Sequence, residues 1–153
     1  MEASLFDDVG DVLRGLVPAE LGPVHHRAHR YGIKVWFGSE QPTREHYEAQ
    51  VISPKGVRTA KHLAIEVGYH SEYPKPADND AALERLCASE KKWRRSIGKE
   101  AVAGAFLGRD GWCRISETWP DPDLSEDELA LELGARLTDY ITALEPVRRA
   151  ESA

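Results

Sequence analysis

The sequence predicts an α+β domain, an antiparallel sheet of about four strands with helices packed mainly on one face. Three observations lead there. Apolar residues recur at spacings of three and four near both ends of the chain. Period-two runs rich in β-branched and aromatic residues lie between residues 31 and 70, and the prolines fall almost entirely between these patterned segments. The implied element order is α-β-β-β-α-(α)-β-α.

Leu5, Phe6, Val9, Val12, Leu13 and Leu16 form the stripe of an amphipathic first helix over roughly residues 3 to 17. The runs "YGIKVWFG", "EHYEAQVIS" and "KHLAIEVGYH" alternate like strands of a meander. After "YPKPADND", whose aspartates are placed to cap a helix, Leu83, Leu86, Trp93 and Ile97 share one face until Gly98 interrupts. "KEAVAGAFLG" is expected as a short further helix and "GWCRISETW" as the fourth strand. In the last helix Ser125 and Glu128 make a capping box. Leu129, Leu133, Leu137, Tyr140, Ile141 and Leu144 make the stripe, and Pro146 is expected to stop it.

A length of 153 residues suits a single domain, 1–153, with 147–153 as a frayed tail. With 41% hydrophobic and 30% charged residues the chain is too apolar to stay disordered, and it holds no apolar run long enough to cross a bilayer. The acidic stretch "MEASLFDDVG" lacks the basic start of a secretory signal, and Cys87 and Cys113 have neither metal nor redox spacing, so a cytoplasmic protein with two free thiols is expected. A net charge of −6 disfavours a surface built wholly for nucleic acid.

Strand alternation sorts the sheet into two faces. Ile33, Val35, Phe37, Tyr47, Ala49, Val51, Leu63, Ile65, Val67, Tyr69, Cys113 and Ile115 would face the helices. The other face would carry Lys34, Trp36, His46, Glu48, Gln50, His62, Glu66, His70, Trp112 and Arg114. Two tryptophans, three histidines and two glutamates on a wet face mark it as the place to seek function, with Lys34, Trp36, Glu48, Glu66, His70, Trp112 and Arg114 as its ligand or partner residues. Glu48, Glu66, His46 and His62 are the candidate catalytic groups there. A loop centred on Val57 would set Glu48 opposite Glu66, and a turn near Gln41 would set Lys34 opposite Glu48. Two carboxylates so close would be neutralised by Lys34, the simplest case, by Arg114, or by a ligand or cation, or one would hold a proton and could serve as general acid or base.

No metal site is favoured. In "GPVHHRAHRYG", His25, His26 and His29 would share an ion only if the segment were helical, and on a strand His25 and His29 stand ~13–14 Å apart. Lys91, Lys92, Arg94 and Arg95 form a basic stretch that would touch nucleic acid, although Trp93 between them falls on the core stripe. No phosphate loop, dinucleotide fingerprint or nucleophile elbow is present, and "PDPDLSEDE" lacks the pattern of a calcium loop.

No cofactor is implied. The order of elements resembles that of small α+β adaptor and secretion-chaperone domains, which implies binding of other proteins without catalysis. The expected function is therefore a non-enzymatic binding or regulatory module that holds a protein partner, or a second copy of itself, on its polar sheet face or a strand edge. A small ligand-binding domain or enzyme with a carboxylate and histidine site on that face is the alternative. Nucleic-acid contact through helix 91–99 comes third, and no membrane contact is expected.

Overall fold

The computed structural model describes residues 4–152 and has the expected α+β architecture. Helix α1 (Leu5–Leu16) starts on a capping box, with Ser4 Oγ accepting from the Asp7 amide while the Asp7 carboxylate accepts from the Ser4 amide. Residue 3, where the predicted helix began, lies outside the described residues. The sheet has six antiparallel strands, β1 (His25–His29), β2 (Gly32–Trp36), β3 (Glu45–Ile52), β4 (Ala64–Ser71), β5 (Val102–Ala105) and β6 (Cys113–Pro120), in the order β1-β2-β3-β4-β6-β5. Helices α2 (Pro76–Cys87) and α3 (Glu90–Ile97) precede β5, and α4 (Leu129–Ser152) ends the chain.

Both strands beyond the expected four sit at the sheet's edges. The histidine segment "HHRAH" pairs with β2 as a hairpin. "VAGA", expected as a helix, pairs with β6 instead: Gly98, at a φ of 95°, ends α3, and the small residues that follow offer no apolar stripe to hold another helix. The segment from Pro76 to Ile97 divides into two helices near Ser89, where the buried Trp93 indole donates to the Leu86 carbonyl and so satisfies the broken end of α2. Its start is not capped by an aspartate; Pro76 opens α2 behind Lys75 with no side-chain cap. The expected box at Ser125 and Glu128 is not used either, since Ser125 bonds Asp123 in the preceding turn. Pro146 does not stop α4. The buried Glu145 carboxylate accepts from Tyr47, Arg148 and Arg149, and Arg149 also reaches the Leu21 carbonyl, so the turns after the proline are tied to the body of the fold. Ala153 lies outside the described residues.

The core lies between one sheet face and the four α-helices, α2 contributing the buried Leu86. Ile33, Val35, Tyr47, Ala49, Ile65, Val67, Tyr69 and Ile115 meet Phe6, Val9, Leu13, Trp93, Leu133, Leu137, Tyr140, Ile141 and Leu144, all but fully buried. Leu16, placed on the stripe by spacing, is exposed. No helix among the described residues is long and apolar enough to cross a membrane.

The pairing of β3 with β4 sets His46 opposite His70, Glu48 opposite Gly68 and Gln50 opposite Glu66. Glu48 and Glu66 are therefore diagonal neighbours. The expected register was off by two residues because the loop between the strands, with its 3-10 turn at Pro54–Gly56, is centred one residue later, at Arg58. Lys34 does lie opposite Glu48.

Gly68 is where β4 comes closest to β6. At a φ of 153°, a Cβ there would stand 2.3 Å from the Ile115 carbonyl oxygen and 2.6 Å from Ser116 Cα. Gly68→Ala is expected to cost about 2–3 kcal/mol by urea denaturation, as backbone cannot yield cheaply. Gly104→Ala on the edge strand, where an added Cβ meets nothing within 4 Å, should change stability by less than about 1 kcal/mol.

Candidate metal centre

The face of the sheet turned away from the helices is polar, yet several of its side chains are buried. Alternation directs His46 and Glu48 of β3, and Glu66 and His70 of β4, to this face. Glu72 keeps the phase one step past β4, because its amide still pairs with the Arg44 carbonyl. In sequence these are two H-x-E repeats, His46–Glu48 and His70–Glu72, and the antiparallel register stacks them against each other. One donor atom from each of His46, Glu48, His70 and Glu72 can be chosen so that all four lie within 4.8 Å of one another.

Each imidazole is oriented by a partner behind it. His46 Nδ1 donates to the Thr43 carbonyl at 2.8 Å, which turns Nε2 toward Glu48 Oε1 at 2.8 Å and Glu72 Oε2 at 3.2 Å. His70 Nε2 donates to Glu66 Oε2 at 2.8 Å, which turns Nδ1 toward Glu48 Oε1 and Glu72 Oε2, each at 3.5 Å. His70 is fully buried, and its Nδ1 is the buried side-chain polar atom among the described residues that has no hydrogen-bond partner. Glu66 is held in turn by Gln50 and Ser116, and Arg114 bonds the Ser116 hydroxyl. Carboxylate behind one imidazole and carbonyl behind the other is the outer arrangement that orients histidine ligands on a metal.

Four ligands at ~2.0–2.2 Å in a tetrahedron stand ~3.3–3.6 Å apart. The two His70 contacts match that spacing, and His46 to Glu72 comes close. His46 to Glu48 is shorter and would open by roughly 0.5 Å around an ion. Lys34 Nζ approaches from the solvent side, 3.6 Å from Glu48 Oε1 and 3.7 Å from Glu72 Oε1.

Glu48, Glu72 and Lys34 also line a cleft of about 650 Å³ together with Ile52, Ser53, Lys55, Phe106, Leu107 and Trp112. The Phe106 ring stands edge-on to His70 at 4.6 Å, and Trp112 packs on Phe106 at 5.5 Å.

The other sequence candidates are scattered. Trp36 is buried, stacked with His25, and donates to the Ser39 carbonyl. His62 is exposed at the far end of the loop, where its amide donates to Asp121. His26 faces Arg14 of α1 and His29 accepts from the Tyr31 amide, so the three neighbouring histidines turn to separate contacts along β1. On α3, Trp93 is buried in the core. Arg94 bonds Glu90 and the carbonyls of Gly98 and Ala101, while Lys91, Lys92 and Arg95 face solvent. Glu72 is the site residue that the sequence reading lacked. The repeated H-x-E spacing was the signal for it, hidden because the strand was ended at His70.

Comparison with protein-family models, with curated proteins and with solved structures finds no match to this chain.

Without an ion, the cluster shares protons. Burial disfavours a charged His46, but hydrogen bonds to Glu48 and Glu72 outweigh it and raise its pKa above the ordinary 6.5. Burial is likewise overcome at His70 by the Glu66 charge, by the bond to Glu66 and by the Glu48 and Glu72 carboxylates that face it, which raise it well above that value. Burial would raise the carboxylates, yet the histidine bonds lower Glu48 well below its usual 4.5 and bring Glu72 down to about 2; the His70 charge lowers Glu66. The raised imidazoles stabilise the fold fully below pH 6.5 and lose that contribution as pH rises through their folded values. The depressed carboxylates stabilise it fully above pH 4.5 and lose that as pH falls toward their folded values. Metal-free protein should therefore be most stable between pH 4.5 and 6.5, as measured by urea denaturation across pH in chelator. A maximum above pH 8 would contradict these proton assignments.

Proposed function

We propose that this protein is a metal-binding domain in which His46, Glu48, His70 and Glu72 hold one divalent transition ion. The observation that carries the reading is His70 Nδ1. Burying a polar nitrogen without a hydrogen bond costs about 1–3 kcal/mol, and this one faces two carboxylate oxygens at 3.5 Å, too far for a good bond, with its other nitrogen committed to Glu66. Lys34 offsets charge at the carboxylates but makes no hydrogen bond to that nitrogen. Two imidazoles and two carboxylates without a thiolate suit zinc or a neighbouring first-row ion better than calcium or magnesium.

Four protein donors fill a tetrahedral shell and leave an outside ligand only an added fifth position, whereas zinc sites that activate water keep one of the four for it. A binding role therefore fits better than hydrolysis. The reading of this face as a protein-docking surface has less support, because Trp36 and Trp112, which suggested it, are engaged within the fold. The two unpaired thiols suit a reducing compartment such as the cytoplasm.

Equilibrium dialysis of chelator-treated protein against zinc or cobalt(II) should give a single ion per chain. Zinc at about a hundred times its Kd should stabilise the fold by about 2.7 kcal/mol, and at a fixed zinc concentration the gain should grow as pH rises through the raised imidazole values. His46→Gln and Glu72→Gln remove ligands and should abolish stoichiometric binding. Glu66→Gln, which loosens His70 from behind, should weaken it by about 10–100-fold. Circular dichroism establishes that each variant is folded. Folded unaltered protein that takes up no stoichiometric ion would refute the reading.

A further inference from the structure

The cleft beside the four donors has a composition of its own. Glu48 and Glu72 are the carboxylates on its wall, and both are ligands in the proposed centre. A divalent ion there cancels their two charges, which leaves Lys34 and Lys55 as unbalanced cations on the same wall. Glu66, the remaining nearby carboxylate, is already engaged behind the site by His70, Gln50 and Ser116, with Arg114 beyond. The rest of the lining includes an apolar set, Ile52, Phe106, Leu107 and Trp112. A volume of about 650 Å³ is within the range of small-molecule sites.

We propose that the cleft binds a small organic carboxylate with an apolar or aromatic body. Its acid group lies against Lys34 beside the ion, and its body lies against Phe106, Leu107 and Trp112. This rests on the metal reading, because in metal-free protein Lys34 is paired with Glu48 and Glu72 and is not free to hold another anion. Once the ion satisfies those carboxylates, the ammonium turns to the ligand. A carboxylate also makes a suitable fifth ligand, since zinc and cobalt(II) expand from four to five donors. Charge thus selects the acid group, and the aromatic wall selects against acids that have no body to bury.

The test uses full-length protein loaded with cobalt(II), whose visible absorption reports a change of donor set. Ion content is measured at each step. Benzoate, benzamide, acetate and inorganic phosphate serve as probes. Benzoate should perturb the spectrum and bind at least about tenfold more tightly than benzamide, which lacks the charge, and than acetate, which lacks the ring. Lys34→Met should weaken benzoate by about tenfold or more while the ion content stays at a single cobalt per chain. Benzamide binding as well as benzoate, phosphate binding more tightly, or Lys34→Met leaving benzoate unchanged would each overturn the proposal with the metal centre intact. Failure to load cobalt at all would overturn both readings, and the ion content distinguishes the two cases.

Discussion

The pairing of β3 with β4 is the constraint on which the polar face depends. With His46 opposite His70, the two H-x-E repeats run past each other and four potential ligands converge. A slip of two residues would keep every core side chain on its own face, so the hydrophobic pattern alone cannot reject it. It would set His46 opposite Gly68 and Glu48 opposite Glu66, and the cluster would disperse. The observed register is held by features outside the alternation. The Tyr47 and Tyr69 rings pair edge to face across β3 and β4, while β4 itself is fixed against β6, where Gly68 admits the neighbouring backbone at close quarters and Asp121 collects the amides of Lys61, His62 and Leu63.

Much of this architecture is legible in the sequence. The stripes of α1 and α4 and the alternation of β2, β3, β4 and β6 follow from apolar periodicity, and they correctly separate the two faces of the sheet. Lys34, Glu48, Glu66 and His70 fall on the polar face from parity alone. The edge strands were not legible in the same way. "HHRAH" has almost no apolar content, and "VAGA" is too short and small to show a period, so both are strands because a neighbour offers free backbone groups. The continuation of α4 past Pro146 depends on Glu145 binding arginines from the next turn as well as Tyr47 from the sheet, a tertiary effect invisible to a local rule. Glu72 stayed hidden because it lies one residue past the assigned strand end, and the convergence of the four donors depends on a loop whose centre shifted by a single residue.

Stability alone is a poor reason for such a cluster. Buried charged groups generally cost more in lost hydration than their pairing returns, and apolar residues of similar size would hold the sheet at least as well. Here three carboxylates and two imidazoles crowd the face away from the core, near Phe106 and Trp112. The core face is different: Glu45, Glu117 and Glu145 all bond tyrosine hydroxyls, and Glu117 and Glu145 also bond arginines, so their charges are balanced in place. Only on the polar face is a buried nitrogen left without a partner among the described residues. That contrast is the ground for proposing an ion at this face.

Anomalous X-ray diffraction from crystals grown with zinc tests the central claim most directly. The expected result is an anomalous peak at about 2.0–2.2 Å from His46 Nε2, His70 Nδ1 and one oxygen each of Glu48 and Glu72, with Lys34 withdrawn toward the cleft. A structure with no peak at this position, and with Lys34 Nζ settled between the two carboxylates as their counter-ion, would contradict it.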